Sequence, residues 1–193
     1  MILAQQNLHF LTQARELLTA LDDRQFTARD SHGHASVGAH LRHVLDAYRC
    51  FLSGLRDARV DYDARQRDPG VEAQRDRALE RVGQIERALT DLGEEDRNRP
   101  LEVRCDAAAW DSVDAWTRST LARELQFLQS HTVHHFALIA MTLRQQGFDP
   151  GDGFGVAPST LEHLATLGQD RPAAGEEGGG GARGESEAAA CAR

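Results

Sequence analysis

The sequence predicts an all-α protein, a four-helix bundle followed by a short C-terminal helix and a disordered tail. Three observations support this prediction. Four long stretches repeat apolar residues at helical spacing, capping residues stand where helices should begin, and the composition changes abruptly near the C-terminal end. Apolar residues make up 40 % of the 193, which is enough for one core. We therefore expect one domain over residues 1–168.

The first two helices follow from their apolar stripes. Between Ala4 and Leu21, five leucines recur at helical spacing. Between Val37 and Leu55 the stripe is stronger, and Ser36 is a suitable N-cap in front of it. The stripe of this second helix consists of Val37, Leu41, Val44, Leu45, Tyr48, Phe51, Leu52 and Leu55.

A third helix is predicted after a polar connection. The connection, "RDARVDYDARQRD", is dense in arginine and aspartate. Asp68 and Pro69 then supply an N-cap and a first-turn proline, and apolar residues at helical spacing continue the helix to Leu92. The segment from Pro100 to Trp116 has no helical period, and its "LEVRC" stretch is compatible with a short strand.

The fourth helix begins after Ser119 or Thr120, either of which can cap it, and ends at Gly147. A turn-rich loop follows, and Pro158 and Ser159 begin a short helix. From Gln169 the chain is rich in Gly, Glu and Ala and has too little apolar surface to order itself. Residues 169–193 are therefore predicted to be a disordered tail.

Charge and cysteine usage exclude several classes of protein. The net charge of −8 disfavours a nucleic-acid-binding surface, which needs a basic patch. No segment approaches the roughly 18 consecutive apolar residues of a membrane span. The three cysteines are widely spaced and lack a CxxC motif, so a disulfide framework is not expected. A cytoplasmic protein that binds neither nucleic acid nor membrane fits these features best.

Histidines in two helices are the strongest functional signal. In "SHTVHH", His131 and His135 are four residues apart and share one helix face, from which two imidazoles can reach one metal ion. His134 lies on the flank of this face. A third ligand must come from another element, and the second helix offers His40 and His43. His40 lies about 70° and His43 about 130° from the centre of the apolar stripe, but small residues beside His43 leave room for an ion, so both stay open.

The stretches "HLRHVLDAY" and "SHTVHH" resemble the DinB-like superfamily of four-helix-bundle metalloproteins, over roughly residues 8–167. The resemblance implies a divalent metal held by one histidine of the second helix and a histidine pair, i and i+4, of a late helix. In that family the second-helix ligand precedes an apolar residue and a short step to Asp or Glu, which matches His43 through Asp46 and not His40. The implied ligands are His43, His131 and His135.

The resemblance also implies an activity. Members of the superfamily include thiol-dependent S-transferases and isomerases, so we expect a metal-dependent hydrolase or low-molecular-weight-thiol transferase that uses one divalent Zn, Ni or Fe ion. The expected partner is a small-molecule thiol or an anionic substrate, and a homodimer is left open. The competing hypothesis is a non-catalytic metal-binding or stress-response bundle.

Four further residues are candidates for roles around the ion. His134 is the best-placed candidate for a general base. His40 is expected to contact a ligand imidazole or to line the pocket. Asp46 or Glu124 could accept the N–H of a ligand imidazole. For each of these carboxylates, however, an exposed charge is the favoured interpretation.

Other residues are weighed against ordinary structural roles. Arg65 or Arg67 could clamp an anionic substrate near the mouth of the bundle, although a solvated, salt-bridged loop is the favoured interpretation. Cys50 is predicted to be a small core residue rather than a ligand or nucleophile. The glycines of "GDGFG" lack the strand–turn–helix context of a nucleotide-binding loop. The ordinary surface or loop histidines are expected to be His9, His32, His34 and His163.

Overall fold

The computed structural model describes residues 2–29, 35–92, 97–105 and 116–169, which form seven α-helices, three strands and one 3-10 helix. The helices are α1 (Ile2–Ala20), α2 (Asp23–Thr27), α3 (Val37–Gly54), α4 (Pro69–Ala73), α5 (Arg75–Thr90), α6 (Leu121–Gln145) and α7 (Pro158–Gln169). The strands are β1 (Arg59–Asp61), β2 (Pro100–Arg104) and β3 (Thr117–Thr120), and the 3-10 helix is Tyr62–Ala64.

Four long helices pack around one apolar core. α3 packs against α5 and α6, and α1 packs against the same two helices. Their apolar stripes face inward, so that Leu11, Leu45 and Leu125 are completely buried. Removing this surface from water is the main contribution that stabilises the arrangement. The helices predicted from apolar periodicity are therefore the ones that build the core.

The predicted helix ends are formed by side-chain caps. Ser36 Oγ accepts the backbone N–H three residues further on at 3.1 Å, and Asp68 Oδ1 accepts that of the residue after Pro69 at 3.0 Å. Thr120, rather than Ser119, caps α6 with a bond of 3.2 Å. After α6, Gly147 has a φ of +79°, the left-handed conformation that a glycine adopts without strain.

A small sheet makes the all-α prediction wrong in one respect. The strand order is β1-β2-β3, with β1 parallel to β2 and β2 antiparallel to β3. In β2, Leu101 and Val103 are buried while the intervening Glu102 is exposed, as alternation along a strand requires. The "LEVRC" stretch is thus confirmed as a strand. The strands β1 and β3 are only three and four residues long and mostly polar, so no apolar pattern announces them.

The predicted third helix is interrupted. Gln74 has φ −130° and ψ 112°, an extended conformation that ends α4 and begins α5. The break leaves few backbone groups unpaired, because the Gln74 N–H donates to Gly70 O at 3.0 Å and its carbonyl accepts from Ala78 N at 3.1 Å. Sequence analysis also missed α2, a five-residue helix begun by a capping box between Asp22 and Gln25.

The glycine-rich loop after α6 packs on that helix. Gly155 has a φ of +72°, and a Cβ at this position would lie 2.6 Å from the backbone nitrogen of Ala137. The neighbouring Phe154 ring stacks on Phe136 with 4.7 Å between ring centroids. The "GDGFG" glycines therefore serve a close approach of backbone to helix.

The C-terminal part of the described chain is α7. It begins at Pro158, as predicted, and its last residue is Gln169. Apart from Gln169, the predicted tail of residues 169–193 lies outside the described residues. Among the helices that the structure describes, none combines the length and the apolar character needed to cross a membrane.

Candidate metal centre

Three histidines from α3 and α6 converge on one point. Each of His43, His131 and His135 offers one ring nitrogen, and these nitrogens all lie within 4.8 Å of one another. The distances between ring centroids are 4.8 Å for His43–His131, 4.6 Å for His43–His135 and 4.7 Å for His131–His135. The structure therefore brings together the three residues that the sequence singled out.

The two helices hold these rings at the edge of the core. On α6, the neighbouring Thr132 and Phe136 are buried in the interior, which leaves His131 and His135 half-buried beside them. On α3, His43 is likewise half-buried and directly precedes the buried Val44. Because α3 packs against α6, the histidine edges of the two helices meet. The spacing of four residues keeps the α6 pair on one face.

The protonation state of the rings favours metal binding. Burial, followed by the charge of the neighbouring His131, lowers the pKa of His43 to about 4 and that of His135 to about 3. Burial and then the charge of Arg65 also lower the pKa of His131. All three rings are therefore neutral at pH 7, each with one nitrogen lone pair available to an ion.

One ring nitrogen shows that the protein alone does not complete the cluster. His131 Nε2 is buried and has no hydrogen-bond partner in the described part of the chain. A buried polar atom without a partner costs free energy, so such atoms are rare and call for an explanation. A divalent ion that accepted this lone pair would satisfy the nitrogen. The residues present thus fit a transition metal, for which imidazole is a favoured ligand.

His40 contacts the cluster from outside. Its Nδ1 forms a hydrogen bond of 3.1 Å with His135 Nδ1, so that one ring donates and the other accepts. This bond fixes which nitrogen of His135 carries the proton and leaves Nε2 of that ring for an ion. Of the two α3 candidates left open by the helical wheel, His43 lies in the cluster and His40 beside it.

His134 is exposed and lies at the rim. Its ring centroid is 5.2 Å from that of His135, in an edge-to-face arrangement. A positive charge on His134 would lower the pKa of both His131 and His135, which places its ring within electrostatic reach of the cluster. The candidate general base therefore lies next to the three rings and in contact with solvent.

Asp46 and Glu124 are both buried, so the favoured prediction of exposed charges is wrong for each. Asp46 Oδ2 accepts from Arg42 Nη1 at 3.0 Å. Glu124 accepts hydrogen bonds from the Tyr62 and Ser119 hydroxyls at 3.0 and 2.5 Å. Burial is tolerated because cationic or hydroxyl partners, which come from separate segments in the case of Glu124, satisfy the carboxylates.

An aromatic support for His131 was not predicted. The Tyr62 and Phe127 rings lie 5.2 Å apart, and Phe127 meets His131 edge-on at 5.6 Å. Tyr62 is itself held by Glu124, one turn before Phe127 on α6. The signal was hidden because Tyr62 lies in the polar "DYDARQRD" stretch, whose composition indicates only a loop.

The remaining candidates occupy ordinary positions. Cys50 packs against the core, and its Sγ donates to Asp61 O at 3.0 Å. Burial raises the pKa of this thiol to about 11, so it stays protonated at neutral pH. His9 and His163 are exposed, as predicted. The other two histidines interpreted as surface or loop residues, His32 and His34, lie outside the described residues.

Fold and cluster together define a class: a mostly helical protein in which two packed helices bring three neutral imidazoles to one point. Comparison with known families makes the class specific. The family model of the DinB superfamily matches residues 10–139, a span that includes all three clustered histidines. The match covers more than half of the chain, and the protein belongs to the DinB superfamily.

A curated relative adds a partial likeness. The chain is 31 % identical over 105 residues to "FK506-binding protein 5" of Rhizopus delemar. The aligned part is 54 % of this chain and 27 % of that protein, so the chain spans about a quarter of the relative's length. No solved structure matches the chain.

Proposed function

We propose that this DinB-superfamily protein holds one divalent transition-metal ion with His43, His131 and His135 and that it is a metal-dependent enzyme. The observation that carries the proposal is the convergence of three neutral ring nitrogens within 4.8 Å. The buried and unsatisfied His131 Nε2 supports it independently. We further propose that the four long helices form the four-helix bundle expected of the family.

Three protein ligands favour a working centre over a structural one. Structural zinc sites are usually closed by four protein ligands, whereas catalytic sites keep a position for water or substrate. Within the described residues, the group that could hold an ion consists of the three histidines without a carboxylate or thiolate. A bound Zn, Ni or Fe ion would supply Lewis acidity to a water, carbonyl or thiol.

The surrounding residues have separate roles in this proposal. His40 holds His135 in one tautomer through the Nδ1–Nδ1 hydrogen bond. His134, exposed beside His135, is placed to accept a proton from a bound substrate and pass it to solvent. The reaction is a hydrolysis or a transfer to or from a low-molecular-weight thiol, and these two differ in the ligand that enters the open position.

Metal loading followed by thiol titration tests the proposal. We expect about one Zn, Ni or Fe ion per purified chain by elemental analysis, because three neutral imidazoles converge. In cobalt-substituted protein, a small thiol should add a saturable sulfur-to-cobalt band in the near ultraviolet, and His135→Ala should abolish it.

The outcomes separate the candidate functions. Saturable binding of carboxylates or azide without the sulfur band would favour hydrolysis over thiol transfer. A metal that responds to none of these ligands would indicate a closed site and a non-catalytic metal-binding protein. A chain that contains no metal and takes up none on titration would contradict the whole proposal.

A further inference from the structure

A cavity of about 350 Å³ continues along α3 from the histidine cluster. Asp46, Cys50 and Ser53 line it, and these residues follow His43 at intervals of three, seven and ten positions on the same helix face. The segment 64–66 forms the opposite wall. Since each helical residue adds about 1.5 Å, the cavity begins about 5 Å from His43 along the helix axis. Its volume suits a small molecule.

Two arginines line this cavity with donors to spare. Arg49 Nη2 donates to Gln66 O at 3.0 Å, and Arg65 Nη1 donates to Tyr62 O at 2.8 Å. Each guanidinium carries five N–H donors, so most of them remain for a ligand. Neither arginine forms an ion pair with any residue that the structure describes. The two backbone bonds fix where the guanidinium groups lie and leave their charge uncompensated.

The acidic groups around the cavity are already paired with other arginines. Asp46 lines the cavity, but its Oδ2 accepts from Arg42 at 3.0 Å. Asp61 and Asp63, on the adjoining segment, both lie close to Arg104, at 3.8 and 3.5 Å. The cavity therefore presents a net positive lining, although the chain as a whole has a net charge of −8.

Arg65 also connects the cavity with the three histidines. Its positive charge lowers the pKa of His43 and of His131, so its field reaches two of the three converging rings. A molecule with one end at the histidines would therefore extend toward the guanidinium groups. An anionic group at its other end would be attracted there, and a planar carboxylate matches the fork of a guanidinium.

We propose that Arg49 and Arg65 form an anion subsite that anchors the carboxylate of a small-molecule substrate beside the three-histidine centre. This inference deepens the proposed function and rests on it, since the anchored molecule is the substrate of that centre. Of the two arginines suggested by the sequence, Arg65 lines the cavity, whereas Arg67 is exposed and lies outside its lining.

The first test measures thiols that differ only in charge. Cobalt-loaded protein is titrated at low ionic strength with ω-mercaptocarboxylates of two to five methylene groups and with the uncharged ω-mercaptoalcohols of the same lengths. The sulfur-to-cobalt band reports binding. At one chain length or more, we expect the carboxylate to bind about 10- to 100-fold more tightly than its alcohol, as a charge-assisted hydrogen bond would give.

Variants then locate the preference. Arg65→Gln should remove most of it, Arg49→Gln part of it, and Arg65→Lys should retain part because the charge stays while the fork is lost. Arg67→Gln is the matched control, because it removes the same charge two residues away, and it should keep the preference. A preference that survives Arg65→Gln, or that Arg67→Gln removes equally, would overturn the subsite.

A second test does not depend on metal. Metal-free protein is titrated with succinate, and the arginine Nε–Hε resonances are followed by NMR. The resonances of Arg49 and Arg65 should shift saturably with succinate and not with uncharged succinamide. No saturable shift would overturn the subsite even if cobalt binds. A shift without any preference among the thiols would overturn its placement beside the centre. Failure to bind cobalt together with a succinate shift would contradict only the proposed function.

Discussion

Polar side chains cross between helices at two neighbouring places in this protein, and only one of them is complete. In the core, the Tyr48 hydroxyl donates to Asn7 Oδ1 at 2.6 Å and accepts from Thr132 Oγ1 at 3.2 Å. Asn7 Nδ2 donates to the Leu125 carbonyl at 3.1 Å. The three residues of this polar network, Asn7, Tyr48 and Thr132, are completely buried and join α1, α3 and α6.

The histidine cluster uses two of the same helices with the opposite result. His131 directly precedes Thr132 on α6, yet its buried Nε2 has no partner among the described residues. The three rings turn their nitrogens toward one another rather than toward complementary donors. A network closed by its own groups stabilises the fold, whereas a convergent set left open by them is suited to bind something else. Adjacent residues thus serve stability and binding separately.

The largest expected effect tests the open side of this comparison. His43→Ala removes one of the three converging nitrogens and should weaken metal binding by more than about 100-fold. His40→Ala removes only the hydrogen bond to His135 and should weaken it by at most about 10- to 100-fold. Competition with a chromophoric chelator measures both affinities. If His40→Ala had the larger effect, the ligand assignment within α3 would be wrong.

The sequence carried the α6 half of the site better than the α3 half. His131 and His135 are four apart on a helix with a clear apolar stripe, so their shared face follows from helical geometry alone. His40 and His43 both lie beside the α3 stripe, and both meet α6 in the structure. Which one joins the cluster depends on the rotation of α3 against α6, which periodicity does not encode.

Burial of charge was the least predictable property. Asp46 is followed four positions earlier in the chain by a visible partner, Arg42, but an i, i+4 ion pair usually indicates an exposed helix face. Glu124 depends on the Tyr62 hydroxyl, 62 positions away. The break at Gln74 was hidden for a related reason, since no proline or glycine marks it. Long-range partners decide such cases, and local pattern does not contain them.

The second effect in size tests the closed side of the comparison. Tyr48→Phe removes the donor that satisfies Asn7 Oδ1, and it should destabilise the protein by about 1–2 kcal/mol. For a domain of this size we expect a Tm lower by about 3–8 °C. Urea unfolding and elemental analysis measure the two properties that should separate, because metal content should stay at one ion per chain. Loss of metal without loss of stability would invert the assignment of the two regions.

The smallest effect is a pH dependence that only the histidine cluster should produce. The folded protein keeps His43 neutral down to about pH 4 and His135 down to about pH 3, against an ordinary pKa of 6.5. Below pH 6.5 the unfolded chain therefore binds more protons than the folded chain, and the metal-free protein loses stability as the pH falls from 6.5 toward 4. Since the rings are half-exposed, we expect a Tm loss of only about 2–4 °C.

Variants decide whether the cluster is the source of this slope. In metal-free protein, replacing both rings with His43→Asn and His135→Gln should remove most of the Tm change between pH 6.5 and 4. The exposed His9→Gln should leave it intact, and so should Tyr48→Phe, because the hydroxyl and amide of the polar network do not titrate in this range. A double variant with the original slope would mean that carboxylates produce the acid sensitivity. The contrast between the two regions would then rest on metal binding alone.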